Sequence, residues 1–212
     1  VDNRVEKNGS VSSDIQQALA LGGITDGVTN LEMTAAYATI ANQGTYTRPV
    51  FYSQVIDSNG RVLLDNTTPT THTVLKASTA SLLTQGMTSV ITEGTGTSAK
   101  LDGKMPVSGK TGTTSSEYDL WFCGYTPYLT ASIWTGYDEN VSLSGDQAYH
   151  ERLWAKIMNQ IDSVKKYKAK SFKMSKDVKK YDICSSSGKV AIKGVCPTSK
   201  SEYFTKGTQP AK

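Results

Sequence analysis

The chain has 212 residues, 37% of them hydrophobic, and a formal net charge of +4, which is enough for one good core or one core with a small appendage. No stretch is long and apolar enough to cross a bilayer, and the start, VDNRVEKNGS, lacks the features of a signal peptide, so any anchor or export signal is expected outside this chain. The net charge hides an asymmetry: through Val164 ten Lys and Arg face sixteen Asp and Glu, whereas from Lys165 onward thirteen face three. The body is acidic and the tail basic.

In chain order, VSSDIQQALALGG predicts a first helix, capped at Ser12 or Ser13 and stopped by Gly22 and Gly23. GVTNLEMTAAYATIANQG predicts a second, with Thr29 and Glu32 as a capping box and Met33, Tyr37 and Ile40 at helical spacing. FYSQVIDSNGRVLLD reads as a β-hairpin turning at Ser58, Asn59 and Gly60, where Asn-Gly supplies the positive φ angles of a tight turn. After the polar stretch NTTPTTHT, Leu83, Met87, Val90 and Ile91 mark a third helix, with Ser78 as its cap and Gly94-Thr95-Gly96 closing it.

From Met105 to Tyr137 three β runs follow, joined by connections too short for a parallel crossover, so they form antiparallel neighbours. HERLWAKIMNQIDSV then predicts a helix laying Leu153, Trp154, Ile157, Ile161 and Val164 across that sheet. The class is α+β, an antiparallel sheet flanked by helices. Residues 1–164 form the body and 165–180 a Lys-rich linker, too poor in apolar residues to fold alone. Residues 181–212 form a small extension. There Cys184 and Cys196 bound a short loop and are expected to pair as a disulfide, which implies an extracytoplasmic home; two free thiols are the alternative. The linker reads as a solvated spacer, with contact to anionic wall polymers or lipid head groups as the sharper alternative.

Lys110-Thr111-Gly112 is the motif that carries chemistry. Such a triplet arises by chance in roughly 5% of chains this long, so its surroundings must support it. They do: it lies on a strand with small residues, Ser108, Gly109 and Gly112, around the lysine, which lets another backbone approach closely. Lys110 offers a cation, Thr111 and Thr113 offer hydroxyls two residues apart, and the Thr113 N–H is an oxyanion donor. Together they suit an acyl donor ending in a carboxylate. Trp121, Phe122, Tyr125 and Trp134 read as sheet packing, Cys123 as a small buried hydrophobe, and Tyr118 and Asp119 as either turn residues or substrate contacts.

GVTNLEMTAAYATIANQGTYTRP, EGTGTSAKLDG, VSGKTGTT and WFCGYTPYLTASIWTGYD are similar, in order and separation, to landmarks of the bifunctional (class A) penicillin-binding proteins. The resemblance runs from about Ser12 to Val164 and implies the penicillin-binding/serine β-lactamase-like transpeptidase fold, incomplete in this chain. It implies a D,D-transpeptidase that cross-links peptidoglycan stem peptides through a serine acyl-enzyme and is acylated by β-lactams. Lys110, Thr111 and Thr113 would hold the terminal carboxylate of a D-Ala-D-Ala stem peptide or a β-lactam, with Gly112 leaving the backbone open. Thr113 would act catalytically through its N–H, completing the oxyanion hole.

The family's Ser-x-Asn motif is absent, and the formal Ser-x-x-Lys matches at Ser163–Lys166 and Ser186–Lys189 follow the sheet, where the family's nucleophile never sits. The serine is therefore expected on an N-terminal fragment that stays associated, and this chain alone should be inert. No cofactor, metal or nucleic acid is implied, and His72 and His150 are too isolated to suggest a metal. The location implied is the extracytoplasmic face of a bacterial membrane, anchored by a segment outside this chain, with a glycosyltransferase elsewhere in the protein. The competing readings are a non-catalytic peptidoglycan or β-lactam sensor, and a D,D-carboxypeptidase or β-lactamase on the same scaffold.

Overall fold

The computed structural model describes residues 3–211. Strands β1 (Asn3–Val5) and β2 (Val11–Ser13) pair as a hairpin. The α-helix expected over VSSDIQQALALGG does not form: its first residues belong to β2, and only Gln17–Leu21 coils, as a 3-10 turn with no buried residue. A run this short with no packed face cannot offset the cost of nucleating an α-helix, and the tighter turn results. Gly22, at φ 89°, ends it.

Helix α1 (Asn30–Ala41) starts on the expected capping box: Glu32 N–H donates to Thr29 Oγ1 at 3.2 Å, and Thr29 N–H donates to the Glu32 carboxylate at 2.8 Å. Strand β3 (Thr45–Thr47) follows, then the hairpin of β4 (Gln54–Ile56) and β5 (Val62–Asp65). In its turn only Gly60 takes positive φ, 81°, not Asn59 as well; Asp57 Oδ1 accepts from the N–H groups of Asn59 and Arg61 and makes the second positive φ unnecessary. The polar stretch after it is not featureless, because β6 (Thr71–Thr73) pairs with β3.

Helix α2 (Ala77–Thr92) begins one residue before Ser78, which therefore lies inside the helix and does not cap it. Strands β7 (Ser108–Thr113), β8 (Leu120–Tyr125) and β9 (Thr130–Thr135) form the three-stranded antiparallel sheet in the order β7-β8-β9. Cross-strand partners share a face, so Thr111, Phe122 and Ile133 look one way and Lys110, Cys123 and Ser132 the other. Helix α3 (Tyr149–Lys165) covers the Phe122 face: the Trp154 ring meets Phe122 edge-on at 5.1 Å, and its Nε1 donates to Ala131 O at 3.0 Å. Helices α1 and α2 cover the other face, where Tyr125 Oη and Thr84 Oγ1 share a 2.8 Å hydrogen bond. The class is α+β, as expected.

The face of α3 that meets the sheet differs from expectation. His150, Glu151, Trp154, Ala155 and Met158 are buried, Ile161 is half-buried, and Leu153, Ile157 and Val164 are exposed. The helix carries two apolar stripes, and the bulk of Trp154, filling the space above Phe122, selects its own. Past α3 the chain runs without regular structure to β10 (Val178–Cys184), which pairs along its whole length with β11 (Ser199–Thr205). Among the described residues no helix is long and apolar enough to cross a membrane.

Candidate active site on the edge of β7

Strand β7 has a neighbour on one side only among the described residues. The register decides which of its groups are free. Thr114 N–H donates to Asp119 O at 3.2 Å, just beyond the Thr113–Leu120 pair. Hydrogen-bonded and non-bonded pairs alternate in an antiparallel ladder, so Gly112 and Lys110 bond to β8 while Thr113, Thr111 and Gly109 turn their N–H and C=O outward. The Thr113 N–H is thus an open donor at the end of an exposed edge.

The side chains converge on that edge. Lys110 Nζ donates to the outward Thr111 O at 3.1 Å and to Thr111 Oγ1 at 3.3 Å. Thr111 Oγ1 also shares a 2.8 Å hydrogen bond with Thr95 Oγ1, from the loop after α2. A cation, two linked hydroxyls and a free N–H therefore lie along a few residues of exposed strand, a set suited to a carboxylate and a developing oxyanion. Small residues lie beneath them: a Cβ on Gly109 would lie 2.7 Å from Cys123 O, too close to the backbone for any side chain, and one on Gly112 would make a tight 3.2 Å contact with Trp121 Cβ.

Asp119 is occupied structurally, accepting from Thr114 Oγ1 at 3.0 Å and from Trp134 Nε1 at 2.8 Å, which makes it a turn brace. Phe122 and Tyr125 are buried packing residues, and burial pushes the Cys123 thiol up, away from reactivity. Ser163, at the end of α3, donates to Gln160 O, and Ser186 sits 3.2 Å from Cys184 Sγ, so neither formal Ser-x-x-Lys match approaches β7. Among the described residues no cluster of three or more His, Cys, Asp or Glu could hold a metal ion. A separate apolar groove of about 600 Å³ runs along α1, lined by Leu31, Ala35, Ile40, Tyr46 and Leu75, none of which carries the site chemistry.

Two residues near the site escaped the sequence reading. Thr95 lies in the quoted EGTGTSAKLDG landmark, but nothing local says that its hydroxyl reaches Thr111. Glu151 is 4% exposed in the first turn of α3, with one carboxylate oxygen lacking a hydrogen-bond partner among the described residues. Burial raises its carboxyl; the Ser98 backbone N–H and the charge of Lys110 oppose that rise. Its neighbour His150, 2% exposed, is pushed down by burial. In the tail, Cys184 and Cys196 come together as two neighbouring thiols, unbonded but placed side by side as the expected disulfide requires. They are close enough for a hydrogen bond from Cys196, aided by Ser186 and Ser187, to lower the Cys184 thiol to about 6.

This fold is found in solved penicillin-binding proteins. Penicillin-binding protein 1A from Haemophilus influenzae superimposes with a TM-score of 0.75 over 93% of this chain and 34% of that one, at 21% identity. The PonA1 protein from Mycobacterium tuberculosis, in complex with penicillin V, does so with a TM-score of 0.65 over 80% of this chain and 46% of that one, at 25% identity. The family model for the penicillin binding protein transpeptidase domain matches residues 1–161, and the model for the penicillin-binding protein 1A C-terminal domain matches residues 174–212. The chain belongs to the penicillin-binding protein transpeptidase family, and a C-terminal domain of the 1A type follows the transpeptidase match. Penicillin-binding protein 1A of Clostridium acetobutylicum is 40% identical over 141 residues, which are 66% of this chain; the chain spans 17% of that relative's length.

Proposed function

We propose that this chain forms one wall of the active site of a serine-type D,D-transpeptidase of peptidoglycan synthesis. The outward edge of β7, which leaves the Thr113 N–H open beside Lys110 and Thr111, carries the reading. A stem peptide ending in D-Ala-D-Ala lies along this edge by strand addition. Its terminal carboxylate is held by the Lys110 ammonium and the hydroxyls of Thr111 and Thr113, and Gly112 lets the backbones approach. The nucleophilic serine, with its Ser-x-x-Lys and Ser-x-Asn motifs, belongs to a segment outside this chain.

That serine attacks the D-Ala-D-Ala carbonyl, and the charge developing on its oxygen is held by the Thr113 N–H and the serine's own N–H. The C–N bond breaks, D-Ala leaves with a proton on its amine, and an amine of a second stem peptide displaces the serine to form the cross-link. A β-lactam carries an equivalent carboxylate and acylates the same serine. The protein acts on the extracytoplasmic face of a bacterial membrane, anchored outside this chain, and a glycosyltransferase domain precedes the transpeptidase.

The test is acylation of the full-length protein by a labelled penicillin, followed by intact mass. Covalent label that persists, with Lys110→Ala slowing its formation about 10- to 100-fold, is the expected result, because a charge-assisted hydrogen bond contributes about 1.5–3 kcal/mol. Absence of covalent label would establish a non-catalytic sensor instead. Rapid release of hydrolysed drug would establish a β-lactamase.

A further inference from the structure

From the last residue of α3 to the start of β10 lie Lys165, Lys166, Lys168, Lys170, Lys173 and Lys176, all exposed. The only acid among residues 165–180 is Asp177, and the ion pairs of the described residues use Arg4, Arg152 and Lys200, not these lysines.

A spacer of this composition is expected to be loose, yet this one is tied to the body along its length. The Tyr167 ring stacks on Tyr128 at 4.4 Å, with 9° between planes, and Tyr128 Oη donates to Lys168 O at 2.8 Å. Phe172 meets Tyr125 edge-on at 5.5 Å, Gln43 Nε2 donates to Lys173 O at 2.6 Å, and Ser175 N–H donates to the buried Ser81 Oγ at 2.9 Å. These ties use aromatic rings and backbone groups. They leave the ammonium groups of Lys166, Lys168, Lys173 and Lys176 to solvent, whereas Lys170 Nζ rests 3.8 Å over the Tyr128 ring.

Holding a backbone in place costs about 1–2 kcal/mol per residue. Here it also holds like charges together: even a fully extended chain puts every second residue at most roughly 7 Å apart, inside the Debye length of about 8 Å at physiological salt. A loose spacer would relax that repulsion; a tethered one keeps it until a polyanion neutralises it. We propose that residues 165–176 form a docking strap for a linear phosphate polymer. The inward turn of Tyr167 and Phe172 selects this partner. Both rings are half-buried against the body, so neither stands free for stacking nucleic-acid bases; Ala169 and Ser171, exposed between the lysines, are small, and Val164, exposed just before Lys165, is a single short apolar side chain, too little to enter a bilayer. The proposal does not depend on the transpeptidase reading.

The test is binding of the full chain to inorganic polyphosphate, followed by fluorescence anisotropy between 50 and 200 mM salt. Neutralising three or four phosphates at a slope of about −0.7 each predicts a loss of roughly 20- to 50-fold across that range. Replacing Lys166, Lys168, Lys173 and Lys176 together by Gln should weaken binding at least tenfold at 50 mM salt without changing the melting temperature. Replacing the exposed Lys7, Lys76, Lys100 and Lys104 by Gln, an equal loss of charge on the acidic body, should change it less than twofold. Equal weakening by the two sets, or none by the first, would overturn the strap. So would strap-dependent binding to phosphatidylglycerol vesicles with none to polyphosphate, which would establish a membrane contact instead.

Discussion

His150 and Glu151 are neighbours in the first turn of α3, and their burial sets opposite charge costs side by side. Burial lowers His150, so the folded state refuses a proton that the unfolded chain accepts; stability falls as pH drops below the ordinary imidazole range. Burial raises Glu151, so the folded state holds a proton that the unfolded chain has released; stability falls as pH rises from the ordinary carboxyl range through the raised folded value. The Glu151 cost therefore grows toward alkaline pH and the His150 cost toward acid pH. Glu151→Gln keeps an acceptor for the Ser98 N–H and removes the charge. It should raise the melting midpoint near pH 7 by about 2–4 °C, on the order of 1 kcal/mol, with the gain vanishing below about pH 4. A loss of stability at pH 7 would mean that attraction to Lys110 outweighs burial.

At the scale of elements, the site depends on how closely β7 and β8 approach. An alanine methyl at Gly109 would meet Cys123 O at 2.7 Å and the Phe122 ring at 2.9 Å, so the strands would have to part. Gly109→Ala should cost about 1–3 kcal/mol in a denaturant melt, and Gly112→Ala, facing only Trp121 at 3.2 Å, should cost less. Features set by neighbours in sequence were legible beforehand: the Thr29–Glu32 capping box, the β4–β5 hairpin, and three strands with short joints. Features set by distant packing were not. The α3 stripe that meets the sheet is chosen by the space above Phe122, and β6 becomes a strand only because β3 lies beside it. The same holds for the site. Lys110, Thr111 and Thr113 stand in one motif and could be read, whereas Thr95 reaches Thr111 from 16 residues away and Glu151 arrives on another helix.

In the whole molecule, an acidic body that carries the site is followed by a basic tail whose two strands lean on the end of α2. The one described ion pair between them, Lys200 to Glu93 at 3.6 Å, is exposed and contributes little. The tail therefore depends on its own cohesion, and it offers little apolar material: of β10 and β11 only Cys184 is fully buried. Cys184 lies beside Cys196, which lowers its thiol to about 6, so a thiolate is available at neutral pH next to its partner. Exchange with oxidised glutathione would form the Cys184–Cys196 bond and release reduced glutathione. Closing a loop of this size stabilises by about 3 kcal/mol on chain-entropy grounds. Thiol titration after oxidation near pH 7.5 should find one free thiol instead of three. The remaining one, Cys123, should react only in denaturant, because burial keeps it protonated. The oxidised tail should also resist protease cleavage between residues 185 and 195 longer than the reduced form, a difference that Cys196→Ser should erase. Three titratable thiols after oxidation would show that the pair stays reduced.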